Sequence, residues 1–186
     1  LHEGIDGTLW VGTRSGLARR VGERFQAIVI PAHYEILGRS AIVSDTQRNV
    51  YVGTSEGLLV GRPATPQPDL EWRFEAAGLP AEPLYTVHVD PQGVLWVGCG
   101  NRLYQLLGGR AVPVGPDFGV PEDRWDAILT DPEGNVWIRS AQRLLVRPRR
   151  ATRFTWTPRG GCLCPPIWAW RSAAATAGSS STPAKG

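Results

Sequence analysis

The stretch DPQGVLWVG at residues 90–98 joins a turn sequence to a short apolar run centred on Trp96. A related run surrounds three further aromatic residues, Trp10, Tyr51 and Trp137. The four aromatic anchors are separated by 41, 45 and 41 residues. Self-similarity at a period of about 40–45 residues indicates a repeat architecture and decides the fold before any local pattern does.

The positions around each anchor repeat as well. A leucine lies seven residues after every anchor, and a glycine lies two residues after the first three. An aspartate lies six residues before three of the anchors, at Asp45, Asp90 and Asp131, whereas Gly4 holds this place in the first unit. Arg139 replaces the glycine in the fourth unit. Chance does not produce this register four times.

Each unit predicts four antiparallel strands. In DPEGNVWI at 131–138, Pro132 presets φ and Gly134 can adopt a positive φ, which gives a tight turn between two strands. A second hairpin and a closing strand follow, and four strands in about 40–45 residues is the size of a propeller blade. The runs LWVG at 9–12 and 95–98 are apolar throughout, as expected for strands buried on both faces between blades. The sequence therefore predicts an all-β propeller of about four blades, in units of approximately 1–30, 39–77, 83–115 and 124–156.

We expect this propeller to be incomplete or an open arc with unpaired edges. The first unit begins at its turn and is predicted to lack its opening strand. Residues 155–186 contain no acidic residue and end in a low-complexity stretch of small residues. They are predicted to be a disordered tail, or the product of a frameshift.

The distribution of charge argues against a nucleic-acid partner. The net charge is +3, with 20 basic and 17 acidic residues, but the excess comes from Arg159, Arg171 and Lys185 in the tail. The nearest approach to a basic patch is a run of five arginines, which we interpret as a solvated blade edge: Arg143, Arg147, Arg149, Arg150 and Arg153. The chain has no secretory signal pattern and no apolar run of the roughly 18 residues that a membrane helix needs.

The segments DPQGVLWVG, DGTLWVGTRSGL (6–17) and GLPAEPLYTVHVD (78–90) resemble the two-component-regulator propeller repeat. The resemblance covers about residues 1–154. It implies a periplasmic sensor propeller of a hybrid histidine kinase or diguanylate cyclase, with the kinase or cyclase output domain as a partner. It also implies a small-molecule or glycan ligand and a homodimer. Arg139 departs from the repeat pattern, so the fourth blade is expected to be degenerate or terminal.

The sequence offers no catalytic constellation. The three histidines share no metal-ligand spacing, and His33 with Glu35 is the best local acid–base pair, in an exposed loop. Cys162 and Cys164 do not match the spacing of a zinc knuckle. The equal placement of Asp45, Asp90 and Asp131 favours a repeated turn-stabilising role over a carboxylate ring. We therefore predict a non-enzymatic protein without metal or cofactor.

The candidate ligand contacts are polar residues in the hairpin after each anchor, because ligands of propellers lie on loops above the central channel. They are Arg14, Glu56, Asn101 and Gln142. Two alternatives remain open, a propeller lyase or hydrolase and a protein-interaction scaffold. The first would require clustered His and Glu side chains on one face.

Overall fold

The computed structural model describes residues 1–30, 33–38, 40–63, 72–76 and 78–156, with the backbone alone at 63 and 72–76. These residues form four antiparallel sheets of four strands each, which we call blades 1 to 4. The strands are β1 (His2–Glu3), β2 (Leu9–Thr13), β3 (Gly16–Val21) and β4 (Arg24–Ile28) in blade 1; β5 (Ile42–Ser44), β6 (Val50–Thr54), β7 (Gly57–Pro63) and β8 (Trp72–Ala76) in blade 2; β9 (Leu84–Val89), β10 (Leu95–Cys99), β11 (Arg102–Leu107) and β12 (Arg110–Val114) in blade 3; β13 (Ala127–Thr130), β14 (Val136–Arg139), β15 (Leu144–Arg147) and β16 (Thr155–Trp156) in blade 4.

The first strands of the blades contact one another in succession, β1 with β5, β5 with β9, and β9 with β13. They are therefore the inner strands of an unclosed arc of blades, and the predicted all-β propeller architecture is confirmed. In the part of the chain that the structure describes, no helix is long and apolar enough to cross a membrane. Of the predicted tail, only Thr155 and Trp156 belong to the described residues, and they form β16. The prediction of disorder for the remainder of the tail lies outside the described residues.

The prediction that blade 1 lacks its opening strand is wrong. His2 and Glu3 form β1 and pair with Trp10 and Leu9 of β2. The turn begins only at Gly4, whose N–H donates to the carbonyl of Thr8 at 2.9 Å. Two residues thus remain before the turn, which is enough for two paired positions in the ladder.

The hydrophobic cores lie between blades, not within them. Successive side chains of a strand point to opposite faces of the blade, so the anchor and the residue two positions later share one face. In every blade that residue is paired with the leucine seven residues after the anchor, which therefore lies on the same face, the forward face. The residues one before, one after and eight after the anchor share the opposite, back face. Each cluster joins the forward face of one blade to the back face of the next, as in Trp10 and Leu17 with Val50, Val52 and Leu59.

The same pairing of faces recurs at the other two junctions. Leu58 of blade 2 packs in one cluster with Leu95 and Val97 of blade 3. Trp96 of blade 3 packs in one cluster with Ile138 of blade 4. All five residues of β10 are buried, as predicted for a strand covered on both sides.

The glycine two residues after the anchor permits this close approach. A Cβ added to Gly98 would lie 2.7 Å from the carbonyl oxygen of Trp125 and 2.9 Å from Cγ2 of Thr86. At Gly53 the same addition would meet Cβ of Leu84 at 3.0 Å. At these glycines the neighbouring blade thus packs directly against the backbone, because no side chain lies between them.

Each aspartate before an anchor ties its turn to the aromatic ring. Oδ1 of Asp90 accepts the backbone N–H groups of Gln92 and Val94, at 3.0 and 2.9 Å. Its Oδ2 accepts the indole N–H of Trp96 at 3.0 Å. Both carboxylate oxygens are thereby used within the turn and its strand.

The other two aspartates make the same connection. Oδ2 of Asp131 accepts the indole N–H of Trp137 at 2.7 Å, and Oδ2 of Asp45 accepts the hydroxyl of Tyr51 at 2.9 Å. Burial opposes ionisation of Asp131, but the hydrogen bonds from Trp137 and Asn135 outweigh it and hold the pKa of that carboxyl below its usual value. Burial, followed by the hydrogen bond to Asp45, raises the pKa of Tyr51 to about 12. The tyrosine therefore stays protonated and continues to donate.

Two histidines on the inner strands bridge neighbouring blades. Nε2 of His2 lies 2.9 Å from Oγ of Ser44 and accepts the backbone N–H of Ser44 at 2.9 Å. Nε2 of His88 lies 2.8 Å from Oγ1 of Thr130. Both histidines lie eight residues before an anchor, and both hydroxyls lie seven residues before the next one. The junctions between blades 1 and 2 and between blades 3 and 4 thus share one polar contact.

We expect the stability of the protein to fall as the pH decreases from about 7 to 5. Burial lowers the pKa of His88 in the fold, although the charge of Asp90 opposes the shift. The unfolded chain, with a histidine pKa of about 6.5, then binds protons that the folded state resists, so folding stability is lost below that value. His88→Gln should reduce the slope of unfolding free energy against pH by up to about 1.4 kcal/mol per pH unit in urea titrations. An unchanged slope in this variant would contradict the assignment.

Candidate functional site

One end of the arc collects the second hairpin of every blade and the connections between blades. Since the strands of a blade alternate in direction, the hairpin between its second and third strands lies at the end where the chain passes to the next blade. We call this end the hairpin face. Its hairpin tips are residues 14–15, 55–56, 100–101 and 140–143, and its described connections include 33–38, 78–83 and 115–126. The aspartate turns lie at the opposite end, which we call the turn face.

The four residues that the sequence predicts as ligand contacts lie on the hairpin face, in successive blades, and all are exposed. Glu56 faces His33, with Oε2 3.9 Å from Nε2. Asn101 donates from Nδ2 to Oε2 of Glu122 at 3.2 Å. The backbone N–H of Gln142 donates to Oγ of Ser140 at 3.1 Å, and Arg14 projects from the tip of blade 1. The carboxylate that His33 faces is thus that of Glu56, whereas the sequence favoured Glu35, whose backbone is held to Ser55 by two hydrogen bonds.

A cavity of about 190 Å³ opens beside Asn101, between blade 3 and the connection 115–122. Its walls are apolar and rich in proline, and its rim is polar. Glu122 crosses the rim, where it accepts from Asn101 and from Nε of Arg102 at 3.3 Å. The lining residues are Asn101, Arg102, Leu103, Pro113, Val114, Gly115, Pro116, Val120, Pro121 and Glu122.

Sequence reasoning missed Glu122 and Arg102. Their pairing depends on the path of the connection, which returns over the hairpin tip and donates from the N–H of Asp123 to the carbonyl of Asn101 at 2.8 Å. The one available signal was the motif Gly119-Val120-Pro121, which precedes Glu122 and parallels Gly78-Leu79-Pro80 of the preceding unit.

A second polar cluster fixes the same connection to blade 4. Asp123 accepts from Oγ of Ser140 at 2.7 Å and forms an ion pair with Arg143. Burial opposes ionisation of Asp123, but the hydrogen bonds from Ser140 and Arg143 outweigh it and hold the pKa of its carboxyl below the usual value. Nearby, the guanidinium of Arg124 lies 5.1 Å from the centre of the Tyr85 ring. The connection is therefore clamped to blades 3 and 4 by charged groups.

These contacts correct the interpretation of the arginine run as a solvated edge. Arg143 is paired with Asp123, and Arg147 is half-buried with its guanidinium 4.6 Å from the centre of the Trp96 ring. Arg149, Arg150 and Arg153 are exposed, as predicted. The long aliphatic stem of arginine allows Arg147 to serve as part of the core, which the charge pattern alone does not indicate.

The described residues contain no group of three or more His, Cys, Asp and Glu side chains that could hold a metal ion. Cys99 is buried at the base of its hairpin, and burial, followed by the charge of Glu82, raises the pKa of its thiol to about 11. The thiol is therefore protonated and weakly nucleophilic at neutral pH. Cys162 and Cys164 lie outside the described residues.

No family model and no curated protein matches the sequence. Among solved structures, the chain is similar to the extracellular domain of BT3049, described as a hybrid two-component system, from B. thetaiotaomicron. The TM-score is 0.69 at 16% identity, over 85% of this chain and 22% of that one. The extracellular domain of the hybrid two-component system BT4673 from the same organism gives a TM-score of 0.68 at 19% identity, over 87% and 21%. The chain thus spans about a fifth of the length of these two structures.

The chain is also similar to an enzyme. A catalytically inactive variant of virginiamycin B lyase from Staphylococcus aureus, solved with quinupristin, gives a TM-score of 0.65 at 11% identity, over 87% of this chain and 55% of that one. At these identities the likenesses establish the fold.

Proposed function

We propose that this chain is part of the ligand-binding sensor domain of a bacterial signalling protein of the two-component or cyclic-di-GMP type. The support is the combination of the blade arrangement with its likeness to extracellular domains of hybrid two-component systems. In this proposal the domain lies outside the cytoplasm and passes its signal to a kinase or cyclase output domain.

The ligand, a small molecule or a glycan, binds on the hairpin face. The observation that carries this assignment is the cavity beside Asn101, where Asn101, Arg102 and Glu122 hold their polar groups at the mouth of an apolar recess. A small number of polar groups on an otherwise apolar wall is typical of sites that bind small molecules. Arg14, Glu56 and Gln142 hold the equivalent hairpin tips and extend the contact surface across the arc.

A panel of neutral and acidic oligosaccharides and small organic acids, screened by thermal shift and calorimetry, tests this site. We expect at least one compound to bind, with a stabilisation of about 2.7 kcal/mol at a concentration 100 times its Kd. The double variant Asn101→Ala/Arg102→Ala should weaken that binding at least tenfold.

The control is Gln92→Ala/Arg110→Ala, which removes an exposed amide and an exposed arginine from the turn face of the same blade. This control should bind as the unmodified chain does. If the control loses affinity and the hairpin variant keeps it, the site lies on the turn face and the assignment is wrong.

A lyase or hydrolase activity is the second candidate, and the likeness to virginiamycin B lyase favours it over the scaffold alternative. On the hairpin face, His33 and Glu56 are the nearest acid–base pair, but both side chains are about half exposed, at 59% and 50%. Turnover of quinupristin that a chelator abolishes would support the enzyme in place of the sensor.

A further inference from the structure

The cavity beside Asn101 has walls that offer a ligand few hydrogen-bond donors. Three of its lining residues are prolines, Pro113, Pro116 and Pro121. Proline has no backbone N–H group, so these parts of the wall cannot donate to a ligand. The other large apolar residues of the lining are buried: Leu103, Val114 and Val120.

The backbone carbonyl groups of the connection 115–122 are already used within it. The carbonyl of Gly115 accepts the N–H groups of Phe118 and Val120, at 2.9 and 3.1 Å. The carbonyl of Pro116 accepts the N–H of Gly119 at 2.9 Å. The hydroxyl groups of a sugar would exchange water for few partners at this wall, which costs free energy, whereas an apolar group needs none. The interior of the cavity therefore favours an apolar group over a glycan.

The volume of the cavity sets the size of that group. It is about 190 Å³, somewhat more than the roughly 150 Å³ of an apolar cavity that binds benzene. One six-membered ring with a short arm that reaches the mouth therefore fits.

The polar groups at the mouth hold a carboxylate of the chain itself. Oε2 of Glu122 accepts from Nδ2 of Asn101 at 3.2 Å, and Oε1 accepts from Nε of Arg102 at 3.3 Å. Nη2 of Arg102 lies 3.3 Å from the same Oε1. An amide and a guanidinium thus converge on both oxygens of one carboxylate, which is the arrangement that recognises this group.

Glu122 can release these donors without any movement of the wall. The side chains of Arg102 and Glu122 are both 58% exposed, and an ion pair at such exposure contributes little to stability. The next residue, Asp123, is fixed through its N–H to the carbonyl of Asn101 and through its carboxylate to Ser140 and Arg143. Rotation of the Glu122 side chain into solvent therefore frees Asn101 and Arg102 while the connection stays in place.

From these observations we propose that the ligand of this cavity is a small molecule with one carboxylate on an apolar body of about the size of a benzene ring. The ring enters the cavity, and the carboxylate replaces that of Glu122 against Asn101 and Arg102. Glu122 is then an internal competitor of the ligand. This inference rests on the proposed sensor function and specifies the ligand of the same site.

The first test compares ligands that differ in charge alone. Benzoate, phenylacetate and 3-phenylpropionate are titrated into the unmodified chain by ligand-observed NMR and calorimetry. We expect at least one of them to bind with a Kd of about 1 mM or lower, as is usual for about ten non-hydrogen atoms. The corresponding amides keep the ring and lose the charge, so they should bind at least about tenfold more weakly. Phenethylamine, which carries the opposite charge, should bind no better than the amides.

The second test uses two substitutions with opposite expected effects. Glu122→Gln removes the charge of the competitor and keeps its size, so it should raise the affinity for the acid about threefold. Arg102→Gln removes the charged donor and should lower the affinity at least about tenfold. The matched controls are Glu133→Gln and Arg110→Gln, at exposed residues of the turn face, and both should bind as the unmodified chain does. A merely structural role of the pair would change the affinity in the same direction in both variants.

Several results would overturn the proposal. Equal binding of the acids and their amides would show that the carboxylate is not recognised. Weaker binding of the acids to Glu122→Gln would show that Glu122 does not compete with them. Absence of binding of all three acids to both the unmodified chain and Glu122→Gln would exclude this ligand class.

Failure of this inference can be distinguished from failure of the proposed function. If an oligosaccharide binds through Asn101 and Arg102 while no acid does, the sensor site stands and the carboxylate assignment alone is wrong. If the acids bind equally well to Arg102→Gln and to the double variant Asn101→Ala/Arg102→Ala, the site lies elsewhere and both proposals are wrong.

Discussion

Replacement of Trp96 by alanine should lower the free energy of unfolding by about 3–5 kcal/mol, the largest effect we expect from a single substitution. The indole is fully buried, lies edge-on to Phe154 with ring centres 5.9 Å apart, and is covered by the guanidinium of Arg147. The substitution opens a cavity in the core between blades 3 and 4 and also leaves Oδ2 of Asp90 without its indole donor. Urea denaturation of both proteins measures the difference.

Trp156→Ala is the matched control, since Trp156 is 57% exposed on β16. It should cost less than about 1 kcal/mol, as is usual for surface positions. Equal losses for the two variants would show that the core between blades 3 and 4 is not organised around Trp96.

The tie between the turn and the ring can be isolated by a double-mutant cycle. Trp96→Phe removes the indole N–H and keeps an aromatic ring, while Asp90→Asn keeps Oδ1 for the two backbone donors and replaces Oδ2 by an amide. We expect a coupling energy of about 1–2 kcal/mol for the buried hydrogen bond. Additive losses in the two single variants would mean that the contact contributes nothing to the stability of the blade.

The second large loss of stability is expected from a substitution that adds a methyl group where two blades are in close contact. Gly98→Ala should destabilise the protein by about 1–3 kcal/mol, because the new Cβ would press on the carbonyl oxygen of Trp125 at 2.7 Å. The loss should appear in denaturant melts as a lower midpoint with an unchanged slope.

Gly115→Ala serves as the control for the loss of backbone freedom. A Cβ at Gly115 meets no atom within 4 Å, and its φ of −115° is accessible to alanine. This variant should lie within about 0.5 kcal/mol of the unmodified chain, the usual range for a surface substitution. If Gly98→Ala is equally neutral, the blades are not in the close contact that the structure shows.

The sequence was sufficient to predict the architecture because the decisive signal is repetition. Four anchors in register predicted four blades, and the apolar run around Trp96 predicted a strand buried on both faces. The two-residue strand His2–Glu3 was not predicted, because its pairing has no sequence pattern of its own and depends on where the turn at Gly4 begins.

The polar contacts between distant residues were harder to predict. Asn101 and Glu122 are 21 residues apart and meet only because the connection folds back across the hairpin. The bridges of His2 to Ser44 and of His88 to Thr130 span 42 residues, and comparison of equivalent positions in the four units could have found them. The half-buried position of Arg147 depends on its aliphatic stem, which a count of charged residues does not take into account.

The placement of every apolar cluster between two sheets has a consequence for the way this protein is divided. An isolated blade would retain all its ladder hydrogen bonds and yet expose both of its apolar surfaces, since neither half of a core is complete without its neighbour. The smallest piece that encloses one whole core is a pair of adjacent sheets. The unit that encloses a hydrophobic core in this chain is accordingly the interface between two neighbouring repeats. This interface is offset by half a period from the repeat that the sequence displays.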